Sequence, residues 1–247
     1  MIDSSKGVVL VTGGAGGIGS AISEKFAQEG YSVIITYNSD VQKAEKLLAT
    51  LPEGNHAVFQ APTTNPERLH ALRDFVTKKY GKLDVLVNNA GITTPVKHDD
   101  LEGLSDEWID RILQTNVRGT FAMIRAMKEL LVTQSSLVVN ISSIAAVSGI
   151  GSNVAYCASK AAVDSITRSL ARALAPQIRV VSVSPGWVLG DYTQHIDPAY
   201  LQTQIDKTPL ERLAGSQDVA NTVFALATQL TFTTGSIIPV DGGRLLL

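Results

Sequence analysis

The sequence predicts a single α/β domain that spans residues 1–247 and is built on a doubly wound parallel sheet of seven strands. Short apolar runs alternate along the chain with segments in which apolar residues recur at helical spacing. The runs are continuously apolar, which is typical of strands covered by helices on both faces. A glycine-rich turn joins the first run to the first helical segment. The predicted strands are Val8–Val11, Val33–Thr36, His56–Gln60, Leu83–Val87, Leu137–Ile141, Ile178–Val183 and Ile237–Val240.

The bulk composition is that of a globular protein. Hydrophobic residues make up 45% of the 247 residues and charged residues 18%, and no stretch approaches the roughly 20 apolar residues of a membrane span. A net charge of −2 and a pI near 6.1 give no reason to expect binding to nucleic acid or to a membrane surface. The single Cys157 excludes an internal disulfide and fits a reducing compartment. Since the sequence shows no signal peptide, a cytoplasmic protein is expected.

The turn after the first strand has the pattern of a dinucleotide phosphate site. Gly14, Gly16 and Gly19 match the G-x-G-x-x-G fingerprint of Rossmann-type folds, and helical spacing follows directly. Bare backbone lets a pyrophosphate approach the unpaired N–H groups at the start of the next helix. Ser20 and Ala21 follow Gly19 where a nucleoside-triphosphate P-loop requires Lys and Ser or Thr. The sequence therefore predicts a Rossmann-type fold that binds a nicotinamide dinucleotide.

The end of the second strand bears on which dinucleotide is bound. About 20 residues past the glycines, an NAD-preferring site usually has an Asp or Glu for the ribose hydroxyls. Here Tyr37-Asn38-Ser39 carries no acid, and Asp40 is expected to lie inside the next helix, with Ser39 as its N-cap. A phosphate on the ribose is therefore not repelled. NADP is the predicted cofactor, and NAD stays compatible with the sequence.

Further motifs follow other predicted strands. Asn88-Asn89-Ala90-Gly91 comes after the fourth strand, and Pro185-Gly186 comes after the sixth. Ser105 is expected to cap a helical run from about Trp108 to Leu131, which contains Asn116. Because the carboxyl ends of parallel strands share one edge of a sheet, these motifs and the glycine loop should converge on one crevice.

The fifth strand and the helix after it carry the reactive side chains. Ser142 and Ser143 end the strand, and Tyr156 and Lys160, four residues apart, lie on one face of the helix. A nearby ammonium favours phenolate over phenol and so lowers the tyrosine pKa. Lowering it from about 10 to about 7 takes roughly 4 kcal/mol, part of which a second positive charge such as oxidised nicotinamide would supply. Such pairs are usually solvated helix faces, and Ser143 together with the glycine loop favours the catalytic interpretation.

These motifs together resemble the short-chain dehydrogenase/reductase family over nearly the whole chain. Its Thr-Gly-x-x-x-Gly-Ile-Gly pattern is matched from Thr12 to Gly19, and its Asn-Asn-Ala-Gly pattern from Asn88 to Gly91. Its Ser, Tyr and Lys are matched from Ser143 to Lys160, and its Val-Asp-Gly-Gly from Val240 to Gly243. The resemblance implies hydride transfer between a nicotinamide and a carbonyl carbon.

The resemblance also implies roles for individual residues. Tyr156 is the acid/base, Ser143 holds the carbonyl oxygen, Lys160 lowers the Tyr156 pKa and contacts the ribose, and Asn116 is a fourth catalytic residue joined to Lys160 through water. For Asn116, a structural role in a kinked helix stays open beside the catalytic one. The implied cofactor-binding residues are Gly13, Gly17, Ile18, Gly19, Tyr37, Asn38, Ser39, Asn89, Ala90, Gly91, Tyr156, Lys160, Pro185, Gly186 and Val188.

The chain departs from the family pattern at three places. Relatives often have Asp-Val for the adenine where this chain has Pro62-Thr63, and proline offers neither a carboxylate nor an N–H. The arginine often found in NADP-preferring glycine loops is replaced by Ala15 and Gly16. A threonine that commonly binds the carboxamide is replaced by Gly190, for which Thr193 or a backbone group would substitute.

The same residues bear on two rival functions. A Ser/His/Asp hydrolase lacks a G-x-S-x-G elbow, and the four histidines and one cysteine give no metal site. A non-catalytic dinucleotide-binding regulator stays open because of the departures at Pro62 and Gly190. The overall pattern resembles 3-oxoacyl-carrier-protein reductases, with sugar and steroid dehydrogenases as alternatives.

The resemblance also bears on substrate and assembly. A small ketone or acyl thioester is the predicted substrate, with a substrate loop at about residues 187–212 in which Trp187, Tyr192 and Tyr200 could line a pocket. A homo-oligomer, tetramer or dimer, is expected, since homotetramers are common in the family.

Overall fold

The predicted parallel sheet is present in the structure, a computed structural model that describes residues 6–131, 136–190, 193 and 196–246. Its strands are β1 (Val8–Val11), β2 (Ser32–Tyr37), β3 (Ala57–Gln60), β4 (Val85–Asn88), β5 (Ser136–Ile141), β6 (Ile178–Pro185) and, after two short strands, β9 (Ile237–Val240). They pair in the order β3-β2-β1-β4-β5-β6-β9. The chain winds from the centre to one edge, returns, and winds to the other, so the crevice between β1 and β4 is where a ligand is expected. The short strands β7 (Val188–Leu189) and β8 (Ala214–Gly215) form a separate parallel pair.

Helices follow the strands and cover both faces of the sheet. They are α1 (Gly17–Gln28), α2 (Val41–Thr50), α3 (Pro66–Tyr80), α4 (Asp106–Leu113), α5 (Gly119–Leu131), α6 (Ala145–Ser148), α7 (Val154–Leu174), α8 (Pro198–Asp206) and α9 (Ser216–Thr228). A π-helical turn, Gln114–Arg118, joins α4 to α5, and a 3₁₀ turn, Arg244–Leu246, follows β9. None of the helices in the described part of the chain is long and apolar enough to cross a membrane.

Two apolar cores sandwich the sheet, as the continuous apolar runs predict. On one face, Ile22 and Phe26 of α1 pack with Val223 of α9 against alternate strand residues. On the other, Leu72 of α3 and Met127 of α5 pack against the remaining strand residues. Because side chains of a strand alternate between faces, a run such as Val8–Val11 supplies both cores. The predicted fold class is therefore confirmed.

Several predicted boundaries move because partner strands extend the pairing. β6 continues to Pro185, since Pro185 pairs with Val240, and β2 reaches Tyr37, which pairs with Gln60. The prediction that Ser39 caps α2 is wrong. Asp40 is the cap, and its carboxylate accepts a hydrogen bond from the backbone N–H of Lys43 at 2.8 Å.

The predicted long helix before β5 is interrupted. Ser105 caps α4 as expected, accepting from the N–H of Trp108 at 3.4 Å. The π-helical turn then inserts an extra residue, and Asn116 lies within it. Such turns are rare and frequently occur at functional sites. The segment 187–212, expected as a substrate loop, contains β7 and α8 in its described part.

Candidate active site

A cavity of about 1570 Å³ opens at the carboxyl ends of the strands. It is lined from α7 by Tyr156 and Lys160, and Ser143 reaches it from the end of β5. The expected crevice therefore exists and contains three of the four predicted catalytic side chains. Predicted cofactor residues also line it, namely Ile18, Asn89, Gly91, Pro185, Gly186 and Val188.

Three glycines of the loop occupy positions that disfavour any other residue. Gly13 and Gly17 have φ values of +58° and +36°, a region that residues with a Cβ rarely adopt. A Cβ on Gly19 would overlap the backbone oxygen of Gly13 and the side-chain nitrogen of Asn89. Three of the predicted glycines are thus required by backbone shape and by close packing.

The start of α1 differs from the starts of most longer helices. Its N-cap, Gly16, makes no side-chain capping bond. By contrast α2, α3, α4, α7 and α8 are each capped by an Asp, Asn or Ser side chain. The first N–H groups of a helix have no partner within the helix, and an anion is a suitable partner for them. Together with the missing Cβ atoms, this uncapped end fits a dinucleotide pyrophosphate.

Thr12 and Asn89 join the glycine loop to the end of β4. The Thr12 hydroxyl accepts from the backbone N–H groups of Asn89 and Ala90, each at 2.9 Å. The Asn89 side chain donates to the carbonyls of Thr12 and Gly13 at 2.9 and 3.1 Å. Asn89 therefore fixes the loop as well as lining the cavity. Sequence reasoning did not single out Thr12, although it opens the Thr-Gly motif.

A buried amide pair joins the central strands to α7. Asn88 donates to the Asn140 side-chain oxygen at 2.9 Å, and the Asn140 amide donates to the Thr167 hydroxyl at 2.8 Å. Burying a polar group without a hydrogen-bond partner is costly. This series of hydrogen bonds therefore favours one arrangement of β4, β5 and α7. Ser143 lies just beyond it, and its hydroxyl accepts from the N–H of Ala145 at 3.2 Å.

The N-terminal turn of α7 positions the tyrosine. Asn153 caps the helix, accepting from the N–H of Tyr156 at 2.7 Å and donating to the carbonyl of Thr94 at 2.7 Å. These two hydrogen bonds tie the start of α7 to the segment after β4. Tyr156 is half-buried in the cavity wall, and the Lys160 Nζ lies 5.6 Å from the centroid of its ring. The sequence-based pairing of phenol and ammonium is therefore present in three dimensions.

Lys160 is a buried cation, only 6% exposed. Its Nζ donates to the carbonyl of Ile141 at 2.8 Å. Burial lowers the pKa of Lys160 to about 8, although the charge of Asp164 acts in the opposite direction. Desolvation disfavours the charged form of an amine, which explains the direction.

Asp164, one turn after Lys160, is a buried carboxylate that sequence reasoning missed. It accepts from the Ser182 hydroxyl at 3.0 Å. Burial raises the pKa of Asp164, and hydrogen bonds from Ser142 and Ser182 and the charges of Arg168 and Lys160 partly offset this. The sequence could have indicated this pair, because residues four apart on a helix lie on one face and Asp164 follows Lys160 by four.

Asn116 lies behind the cavity wall. Its Oδ1 accepts from the N–H of Ile92 at 2.8 Å, and its Nδ2 donates to the Ile92 carbonyl and to the Ser159 hydroxyl, each at 3.0 Å. A Cβ built on Gly91 would lie 3.3 Å from the Asn116 Oδ1 and 3.7 Å from the Lys160 Nζ. Asn116 therefore sits beside Lys160 while its side chain holds the segment after β4 against α7.

The remaining predicted residues lie outside the cavity lining. Asn38 and Ser39 are exposed beyond β2, and the Asn38 carbonyl accepts from the Gln60 side chain at 2.9 Å. Tyr37, at the end of β2, packs partly buried against a core. The other predicted positions without a place in the lining are Gly13, Gly17, Gly19, Ala90 and Asn116.

Thr193, the residue expected to substitute for the family's threonine at Gly190, is hydrogen-bonded to Gly190 itself. The Thr193 hydroxyl accepts from the N–H of Gly190 at 3.0 Å and donates to the Gly190 carbonyl at 2.9 Å. Thr193 is buried, so its hydroxyl serves the local turn in this structure. Trp187 and Tyr200 line the cavity, whereas Tyr192 lies outside the described residues.

The fold is a Rossmann-type α/β domain with a cavity at the carboxyl ends of its strands, and comparison with known proteins shows which family it represents. Residues 13–244 match the sequence model of the family described as "Enoyl-(Acyl carrier protein) reductase". The chain belongs to the short-chain dehydrogenase/reductase family, and it is an oxidoreductase that acts on CH–OH or carbonyl groups. The resemblance seen in the sequence is therefore confirmed.

Three relatives illustrate the likeness. A protein assigned as ketoacyl reductase 2 of the granaticin polyketide synthase of Streptomyces violaceoruber is 37% identical over 243 residues, 97% of this chain and 96% of that one. The 3-oxoacyl-[acyl-carrier-protein] reductase FabG of Staphylococcus aureus is 34% identical over 239 residues, 95% of this chain and 96% of its own. A short-chain dehydrogenase/reductase from Burkholderia xenovorans superposes with a TM-score of 0.91 at 34% identity, covering 99% of this chain and 100% of its own.

Proposed function

We propose that this protein reduces a ketone or a 3-oxoacyl compound to the secondary alcohol with NADPH, or catalyses the reverse reaction. The observation that carries the proposal is the convergence of Ser143, Tyr156 and Lys160 on one cavity. Relatives that are 34–37% identical are ketoacyl or 3-oxoacyl reductases by name, which supports the same substrate class here.

The chain offers suitable groups for the dinucleotide. The uncapped start of α1 and the glycines before it would hold the pyrophosphate. Tyr37, the last residue of β2, and Asn38 and Ser39 directly after it would contact the adenosine ribose. The absence of an acid among these three favours NADP, and the next carboxylate along the chain, Asp40, already accepts from a backbone N–H. When bound, the nicotinamide supplies or accepts the hydride.

The side chains handle the oxygen and the proton. The Ser143 hydroxyl orients the carbonyl oxygen, and Tyr156 donates its phenolic proton to that oxygen as negative charge develops on it. General-acid catalysis of this kind contributes about 10²–10⁴-fold. Lys160, with a pKa of about 8, is mostly an ammonium at neutral pH and favours the phenolate that remains. Asn116 supports the proton path by holding the segment after β4 against Ser159 of α7, the residue before Lys160.

Tyr156→Phe tests the proposal, because it removes only the proton donor. We expect turnover to fall at least about 10²-fold, with NADPH binding retained in a thermal-shift titration. Tyr80→Phe is the matched control, since its hydroxyl bonds the carbonyl of Asn55 and does not line the cavity. The assay follows NADPH and NADH oxidation against a panel of ketones and 3-oxo esters. Wild-type turnover in Tyr156→Phe would refute the role of Tyr156, and cofactor binding without any turnover in the wild type would favour a non-catalytic regulator.

An apolar face outside the cavity supports the expected self-association. Leu113, Val117 and Phe121 of the α4–α5 region and Ile166 of α7 line a shallow depression of about 490 Å³. Leu113 and Phe121 are exposed, and contiguous apolar surface of this kind commonly marks an interface. Phe121→Glu should reduce the molar mass measured by light scattering. Phe232→Glu, at a fully exposed phenylalanine outside this depression, is the control, and an unchanged mass in Phe121→Glu would argue against this interface.

A further inference from the structure

Part of the cavity wall is basic. Lys207 follows α8 and Arg244 begins the C-terminal 3₁₀ turn, and both line the cavity. Lys97 and His98, on the segment after β4, line it as well. No Asp or Glu is found among the lining residues in the described ranges. The whole chain has 23 acids against 21 Lys and Arg, so this basic lining is a local property.

Arg244 is fixed in its position. Its Nη1 donates to the backbone carbonyl of Gln204 at 2.8 Å, and its Nη2 donates to the side-chain oxygen of the same residue. Gln204 is only 5% exposed, so the anchor is itself part of the packed structure. A guanidinium has five N–H donors, and a pre-positioned one loses little entropy when it binds an anion.

Nearby carboxylates are directed elsewhere. The two oxygens of Asp241 accept from backbone N–H groups of its own turn, each at 3.0 Å. The Asp206 carboxylate accepts from the Gln202 side chain at 2.8 Å. Within the part of the chain that the structure describes, Arg244 takes part in none of the ion pairs. Its positive charge therefore faces the cavity without a carboxylate partner in the described residues.

Apolar and aromatic side chains also line the cavity. Val147 and Ile150, on the connection between β5 and α7, are 70% and 76% exposed although they line the cavity. The rings of Trp187 and Tyr200 lie edge to face, with centroids 6.0 Å apart. Ligand sites combine apolar walls with a few placed polar groups, and here the placed groups are cations.

We propose that Arg244 and Lys207 form an anion subsite for the substrate. The preferred substrate is then a carbonyl compound with an apolar chain that carries a carboxylate or a phosphate. The inference rests on the proposed function, because the carbonyl must reach Tyr156 in the same cavity. The competing explanation is that Arg244 only stabilises the C-terminal end of α8, where a cation is favourable.

Binding without turnover provides the first test. Trp187 reports on the cavity in a Trp108→Phe background, and saturating NADP⁺ occupies the glycine loop so that anions cannot bind there. We expect hexanoate or hexyl phosphate to bind at least about tenfold more tightly than hexan-1-ol, which corresponds to about 1.4 kcal/mol. The two anions distinguish a carboxylate from a phosphate as the preferred group. Equal binding of the alcohol and both anions would overturn the subsite.

The variants Arg244→Gln and Lys207→Gln should each reduce the preference for the anion and leave hexan-1-ol binding unchanged. Lys128→Gln, on the exposed side of α5, is the charge-matched control and should keep the preference. Lys207 is exposed, so its variant keeps the test decisive even if Arg244→Gln does not fold. A purely structural role of Arg244 would lower stability and leave the anion preference intact.

Turnover of a matched pair provides the second test. The ketone 6-oxoheptanoate differs from its methyl ester in the negative charge and in one methyl group, and we expect its KM to be at least about tenfold lower at similar kcat. Both variants should raise that KM and leave the ester unaffected. Equal KM values with active enzyme would overturn the subsite and keep the proposed function. If the wild type reduces neither ketone, the proposed function fails for this class, while the binding experiment still decides the subsite.

Discussion

The cost of burying Lys160 can be measured by replacing it with methionine. Burial lowers the pKa of Lys160 to about 8, whereas the ordinary value is 10.5. A lysine whose pKa is lower in the folded than in the unfolded protein lowers the free energy of unfolding at every pH at which the unfolded chain binds the proton. This cost is therefore full below about pH 8 and disappears as pH rises towards 10.5. The difference between the two pKa values corresponds to about 3 kcal/mol at pH 7.

Lys160→Met removes the charge and keeps a side chain of similar length. The variant also loses the hydrogen bond to the Ile141 carbonyl, so its absolute stability combines two effects. The pH dependence separates them, because only the charge is titrated. We expect the wild type to gain about 2 kcal/mol of unfolding free energy relative to the variant between pH 7 and about pH 9.5.

Urea unfolding followed by far-UV circular dichroism at several pH values measures this difference. Lys128→Met, at an exposed position of α5, shows what removing a lysine does by itself. A difference between wild type and Lys160→Met that does not change with pH would refute the reasoning, because the buried ammonium would then cost nothing. The variant should also lose turnover, which would show that the chain retains an unfavourable charge for its chemistry.

Three further predictions concern the supports of the site. Gly19→Ala should abolish cofactor binding in a thermal-shift titration, since its Cβ would overlap the Gly13 carbonyl; retained binding would contradict this. Asn153→Ala should lower the unfolding free energy by about 2–4 kcal/mol, because it removes the N-cap of α7 and leaves the carbonyl of Thr94 without this donor. A change below about 0.5 kcal/mol in urea unfolding would contradict this prediction. Asp164→Asn should move the alkaline limb of the pH–rate profile to lower pH, because its charge raises the pKa of the buried lysine; an unchanged limb would exclude that coupling.

Local patterns were sufficient to predict the fold and the edge of the sheet at which the cavity opens. Apolar runs such as Val8–Val11 indicate buried strands, and the carboxyl ends of parallel strands meet at one edge regardless of further detail. Gly13 to Gly19 and the pair Tyr156 and Lys160 depend on spacing within one loop or one helix, so their geometry follows from the sequence. The assignment of individual catalytic and cofactor roles stays a prediction that the variants above test.

Contacts between distant segments could not be predicted in the same way. The sequence places Asn116 in a helix. Its hydrogen-bond partner Ile92 precedes α4 in the chain whereas Asn116 follows it, and only the packed fold brings the two residues together. The cap of α2 moved from Ser39 to Asp40 because the backbone angle at each position decides which side chain can reach the N–H groups.

The same distinction applies to substrate selectivity. Local sequence around Arg244 shows a charge near the chain end and nothing about its target. Its anchor Gln204 is 40 residues away, and the cavity they share exists only after α8 packs against the C-terminal turn. The sequence by itself thus determined the sheet, the shape of the glycine loop and the pairing of Tyr156 with Lys160, because each depends on neighbours along the chain. Tertiary structure decided which charges are buried, which are left unpaired and what they face, because those properties depend on neighbours in space.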